Sequence, residues 1–214
     1  MESKTYRTFG IIIVACIAFG IIPCTAIPFE GIAPSHPIQL TTDPNYDRNP
    51  SLLLADDGTY WLFFTRGKDP RGIRSLDYNP DLDYYDIWYK QSRSLGGLQR
   101  APEVRIPGSD GVTSAQRDIA AVQSEDGKIL VFASAGYGYE PQDVQDRGIF
   151  TYTYDGIWSG PSLITPPDLD GYGMGHIDAL GFQGRTWVIF DYGYTLKAIS
   201  RGSSEEDWTQ PALI

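Results

Sequence analysis

The feature that most constrains this chain is that it repeats itself. An apolar run over residues 48–54 turns at Asp57-Gly58 and returns over 59–64 to Gly67. The same order recurs from Arg117-Asp118 to Val122, across Asp126-Gly127, and back over 128–132 to Gly136. A third copy runs over 176–182, turns at Gln183-Gly184, and continues over 186–190 to Gly193. Asp-Gly between two β-rich runs is the strongest short-range hairpin signal, because tight hairpin turns need residues that tolerate positive φ. A second hairpin follows each of these, pairing 86–90 with 101–106, 149–153 with 160–164, and 196–200 with 210–214.

Four strands per unit, the first pair almost wholly apolar and the outer pair mixed, describe the blade of a β-propeller. The expectation is therefore an all-β propeller of four-stranded antiparallel blades, with three blades at about 37–107, 108–167 and 168–214. A plain β-sandwich also needs many short strands, but nothing in it makes the hairpins recur in one order. The 23 glycines and 15 prolines supply the turns that so many strands require. Three blades are too few for a closed ring of the usual four or more. That predicts an incomplete ring: the front part of a longer protein, a shortened form, or a chain whose copies self-associate to close the propeller.

Ahead of the repeats, Lys4 and Arg7 precede an apolar run over 9–22 and then Pro23-Cys24-Thr25-Ala26. This layout reads as a signal peptide over 1–26, or as an N-terminal membrane anchor, followed by a linker over 27–36. Either reading places the protein outside the cell or on its surface. Both cysteines, Cys16 and Cys24, fall in that segment. The blades must then be held by packing without a disulfide. A formal net charge of −10 argues against nucleic acid as a partner, since repulsion opposes every encounter.

The turns of the outer hairpins carry a common residue set: Ser92-Arg93-Ser94-Leu95-Gly96 with Leu98, Thr153-Tyr154-Asp155-Gly156-Ile157-Trp158, and Ser200 followed by Asp207-Trp208. Asp or Ser accepts backbone N–H bonds in such a turn, Gly takes a conformation closed to other residues, and Trp packs between sheets. The set resembles, in degenerate form, the Asp box (Ser-x-Asp-x-Gly-x-Thr-Trp) of sialidases and related BNR-repeat propellers. Ser94 stands where the box has aspartate, and Leu98 where it has threonine.

The first blade also resembles the opening of a sialidase. It has Arg48-Asn49-Pro50, the Asp57-Gly58 hairpin, Arg66-Gly67, a loop with Asp69, Asp77, Asp81 and Asp83, and Asp86-Ile87-Trp88-Tyr89 leading into Ser92. The likeness covers 37–214 in blade pattern and 48–96 in site detail. It implies a sialidase-like glycoside hydrolase cleaving terminal sugars from glycans. Arg48 would then be the first arginine of a carboxylate-binding triad, Asp69 or Asp77 the acid/base, and Arg66 a supporting arginine. The family's tyrosine nucleophile, its glutamate partner and its later arginines belong to blades beyond the third.

Propeller topology adds an expectation of its own. The loop after the second strand of a blade returns to the face at which the inner strand starts. Arg48, Arg117 with Asp118, and His176 with Asp178 should therefore neighbour loops bearing Asp69, Asp77, Tyr137 and Tyr139. Arginine forks and tyrosine rings at one mouth suit a carbohydrate. Each residue also has a plainer reading: Arg48 and Arg117 can pair with Asp47 or Asp118, and the loop aspartates can be turn formers. His176 has no partners at metal-ligand spacing, and Gly171 to Gly175 lacks the strand-to-helix setting of a phosphate loop, so neither metal nor cofactor is expected. Two other functions stay open: a non-catalytic carbohydrate-binding or scaffold propeller, and a five-bladed arabinosidase or xylosidase using Asp47, Asp118 and a later glutamate.

Overall fold

Three antiparallel meanders follow one another along the chain. The computed structural model describes residues 39–43, 47–67, 85–111, 116–135, 148–166, 174–203 and 206–214. The segments over 1–26 and 27–36 lie outside these. The first blade is β1 (Asp47–Leu54), β2 (Tyr60–Gly67), β3 (Tyr85–Ser92) and β4 (Val104–Arg105). The second is β5 (Gln116–Gln123), β6 (Ile129–Ala135), β7 (Gly148–Tyr154) and β8 (Trp158–Leu163). The third is β9 (Met174–Phe182), β10 (Arg185–Tyr192), β11 (Thr195–Arg201) and β12 (Ala212–Leu213). In each sheet the strands lie side by side in chain order, so the chain forms three propeller blades of four antiparallel strands.

The inner hairpins show why the Asp-Gly pairs work. Gly58 donates its N–H to Ala55 O at 2.8 Å, and Ala55 N donates to Thr59 O at 2.9 Å. The second blade repeats this with Gly127 to Ser124 O and Ser124 N to Lys128 O, both at 2.9 Å. Only the glycines are left-handed, at φ +80° and +84°, which makes each turn an ordinary one closed by a glycine bulge. The third hairpin differs: Gln183 (φ 51°) and Gly184 (φ 71°) are both left-handed, as a two-residue primed turn demands.

Strand alternation sends one face of each blade backward and the other forward. On β2, Trp61 and Phe63 face the second blade, where they pack with Ile119, Ile129, Val131 and Ala133. At the next junction Leu130 and Phe132 of β6 meet Ile177, Val188 and Phe190 of the third blade. The outer turns contribute as their residue types suggested. Trp158 stands edge-on to Trp61 at 6.3 Å between ring centres, and Trp208 stands edge-on to Phe132 at 5.6 Å. The first outer turn forms a short helix, α1 (Leu95–Leu98), capped by Ser94 Oγ accepting from Gly97 N at 3.1 Å. The glycine this turn requires is Gly97, where a Cβ would overlap Ser92 Oγ, and not Gly96, which faces open space.

Candidate functional site at the blade mouth

Each inner strand carries an irregularity near its start. Register pairs Arg48 with Thr65 and Ser51 with Phe63, leaving Asn49 and Pro50 opposite a single residue of β2. The same break leaves Arg117 and Asp118 unmatched on β5, and His176 and Ile177 on β9. Such bulges bend a strand and re-aim its side chains. Counted back from the hairpins they share, Asn49, Asp118 and His176 occupy one position of the repeat. Asn49 and His176 are left-handed there, at φ 47° and 44°. Asparagine and histidine are among the residues that tolerate this conformation best.

The three meet. Asn49 Nδ2 donates to Asp118 Oδ1 at 3.2 Å and to the Arg117 carbonyl. The backbone N–H of His176 donates to Asp118 Oδ2 at 2.9 Å. One carboxylate on the second blade thus holds the first and third. Asp118 N–H itself donates to Ser134 Oγ at 3.3 Å. His176 Nδ1 contacts Asp191 Oδ2 at 2.9 Å. Thr65, Ser134 and Asp191, which partner these bulges, each precede the glycines Gly67, Gly136 and Gly193 by two residues.

The electrostatics of the mouth centre on His176. The hydrogen bond to Asp191 raises the His176 pKa above its ordinary 6.5, helped by the charges of Asp191 and Asp118, while slight burial opposes the shift. The His176 side chain is 72% exposed and that of Asp191 only 23%. Asp191 Oδ1 is buried without a hydrogen-bond donor among the described residues. The mouth therefore offers a carboxylate fixed by two donors beside an imidazole that a half-buried acid orients and that can carry a proton near neutral pH.

The other expected residues distribute unevenly. Arg48 lies at the mouth with its guanidinium 5.7 Å from the centre of the Tyr85 ring. Arg117 is half-buried and adjoins Asp118, and its carbonyl accepts from Asn49 and, at 3.5 Å, from Thr65 Oγ1. Asp178 is exposed just past the bulge and accepts from Ala179 N at 2.8 Å. Asp69, Asp77, Tyr137 and Tyr139 lie outside the described residues.

Arg66 requires a correction. It grips Asp47 with two bonds of 2.6 and 2.9 Å, reaches Glu103 at 2.7 Å and Asp43 at 3.4 Å, and is 4% exposed. Its plane lies 4.7 Å from the Trp88 ring centre. So engaged, and almost wholly buried, Arg66 braces the blade, and Asp47 is joined to it. Conversely, the structure brings Asn49 and Asp191, which were not among the expected residues, into the site. Both carried a signal: Asn49 stands as far before Gly58 as Asp118 does before Gly127, and Asp191 precedes Gly193 as Thr65 precedes Gly67.

No family model matches the chain, and no curated protein matches it. Solved structures do. A protein of unknown function from Dyadobacter fermentans superposes with a TM-score of 0.56 at 14% identity, covering 78% of this chain and 54% of its own. The catalytic domain of the GH62 α-L-arabinofuranosidase of Coprinopsis cinerea matches with a TM-score of 0.53 at 10% identity, covering 79% of this chain and 50% of its own. For an exo-β-1,3-galactanase of Bifidobacterium bifidum, described as putative in its name, the values are 0.53, 13%, 82% and 53%. The chain spans about half the length of each. The likeness is one of fold, and two of these three neighbours are named as glycoside hydrolases.

Proposed function

We propose that this chain is an exported glycoside hydrolase that removes terminal sugars from glycans at the mouth formed by the three inner strands. The observation that carries the reading is Asp118, whose carboxylate accepts from Asn49 of the first blade and from the His176 backbone of the third. Glycoside hydrolysis needs a group to protonate the leaving oxygen and a carboxylate to assist the attacking water or steady the developing positive charge. His176, oriented by Asp191, supplies the first, and Asp118 the second. The fold shared with an arabinofuranosidase supports this reading.

Turnover of chromogenic arabinofuranoside, xyloside and galactoside substrates by the full-length protein tests it. Asp118→Asn and His176→Gln should each lower kcat by about 100-fold or more, the usual scale for losing an acid or base. Glycan binding without turnover would make the chain a binding propeller, and turnover unmoved by both substitutions would place the chemistry elsewhere.

A narrower sialidase-like reading has its own support in Arg48 and Arg117, which hold one repeat position beside Asn49 and Asp118. Two arginines at equivalent strand starts suit the carboxylate of a sialic acid. Asp69 or Asp77 would then serve as acid/base, and Asp69→Asn with Asp77→Asn should abolish release of a fluorogenic sialoside. Retention of that release in the double variant would overturn the assignment.

A further inference from the structure

The bulge that carries Asp118 is held on its two sides by different means. Toward the hairpin, Ile119 pairs with Ala133 and the strand runs on in register. Toward the mouth, Gln116 is the first residue of β5 and pairs with Ala135, the last of β6. A bulge aims its side chains by bending the strand between the flanking pairs, so the direction of Asp118 depends on where Gln116 is fixed. Strand ends are where pairing opens most easily, and this one needs a further anchor.

The Gln116 side chain provides it. Gln116 is fully buried, and its Nε2 donates to Ser109 O at 2.7 Å and to Tyr85 O at 3.3 Å. Tyr152 Oη lies 2.5 Å from Gln116 Oε1. The two carbonyls can only accept, which places the amide nitrogen on their side; the amide oxygen then faces the phenol, which must donate. Burial raises the Tyr152 pKa, so the phenol keeps the proton it donates. Tyr152, also fully buried, stands on β7 opposite Val131 in the core shared by the first two blades.

The same amide stands behind Arg48. Tyr85, whose carbonyl it holds, is buried and pairs with Gly67; a Cβ on that glycine would come within 2.8 Å of Tyr85 Cε1. The Arg48 guanidinium lies 5.7 Å from the centre of the Tyr85 ring. One buried amide thus supports mouth residues of two blades.

We propose that Gln116 and Tyr152 are positioning residues of the mouth: the amide, locked by the phenol, fixes the start of β5 and thereby aims Asp118 at Asn49 and at the His176 N–H. That Asp118 then acts on a sugar rests on the function proposed above; the aiming does not.

The bond from His176 N–H to Asp118 Oδ2 reports the aim, because it joins two blades through the bulge. Amide NMR of the full-length protein reads it in the wild type, in Tyr152→Phe and in Gln116→Met. Phe keeps the packed ring and removes the donor, while Met keeps the side chain's length without its amide. Leu98→Ala, a truncation in the buried cluster at the first blade's outer turn, controls for general loss of stability. Tyr152→Phe and Gln116→Met should move the His176 amide proton upfield and speed its exchange at least about 10-fold, the scale of one lost buried hydrogen bond. Leu98→Ala should leave that shift where it was. On any glycoside the wild type cleaves, the two variants should lower kcat by about 10-fold or more with little change in KM, as for a displaced reacting group. A moved amide with kcat unchanged, or with no glycoside cleaved by the wild type, still supports the anchor and tells only against a catalytic Asp118. A His176 amide that stays in place in both variants, or that moves as far in Leu98→Ala, would overturn the proposal.

Discussion

Asp118 has two carboxylate oxygens and gives one to each neighbouring blade, so a single side chain fixes the relative placement of Asn49 and His176. The repeat has put an amide, a carboxylate and an imidazole at one structural position, and only the last changes charge near neutrality. Its partner Asp191 raises the His176 pKa. Stability from the charged pair is therefore fully present below about 6.5, the ordinary histidine value, and is lost as pH rises through the raised folded value. Proton donation by His176 should fade over the same interval. An NMR titration of the imidazole should show the raised midpoint, and Asp191→Asn should return it toward 6.5; a midpoint indifferent to that substitution would mean that Asp191 does not hold the ring. The sequence displayed Asp118 and His176 as strand-start residues, but Asn49 looked like the middle of an Arg-x-Pro motif. Its part in the site depends on the bulge, which turns it toward the second blade.

Within the first blade, Arg66 joins β1 to the approach to β4 through Asp47 and Glu103. Lys90, buried beside it, donates to Leu40 O at 2.6 Å and to Gln99 O at 3.3 Å. Removing a buried cation strands its acids, so Arg66→Met should cost about 3–5 kcal/mol in denaturant unfolding. Loss of under 1 kcal/mol would show that the acids find solvent. Burial pushes the Glu103 carboxyl up, but the bonds from Arg66 and Thr42 N outweigh it and leave the pKa below its ordinary 4.5. The stability this supplies is present above 4.5 and is lost as pH falls through the depressed value. Thermal melts over that acid interval should show the loss, and Glu103→Gln should flatten it. The strands themselves were legible because β-alternation and turn glycines are local. Arg66 was misread because its partners Asp43 and Glu103 come from separate stretches that only the folded sheet brings together.

At the scale of the molecule, three blades built to one plan pack through two junctions of the same construction, with Trp61 and Phe63 receiving the second blade and Leu130 and Phe132 receiving the third. What the sequence determined by itself was the blade: hairpin order, turn positions and the apolar cores follow from alternation, Asp-Gly signals and repetition, which act over a few residues. What the tertiary structure decided was the function of individual polar side chains. Which arginine braces a sheet, and which strand-start residues converge, depends on bulges and blade packing that join residues about 60 to 70 positions apart. No local pattern carries that information, because a bulge shifts a side chain's direction without changing the hydrophobic period around it.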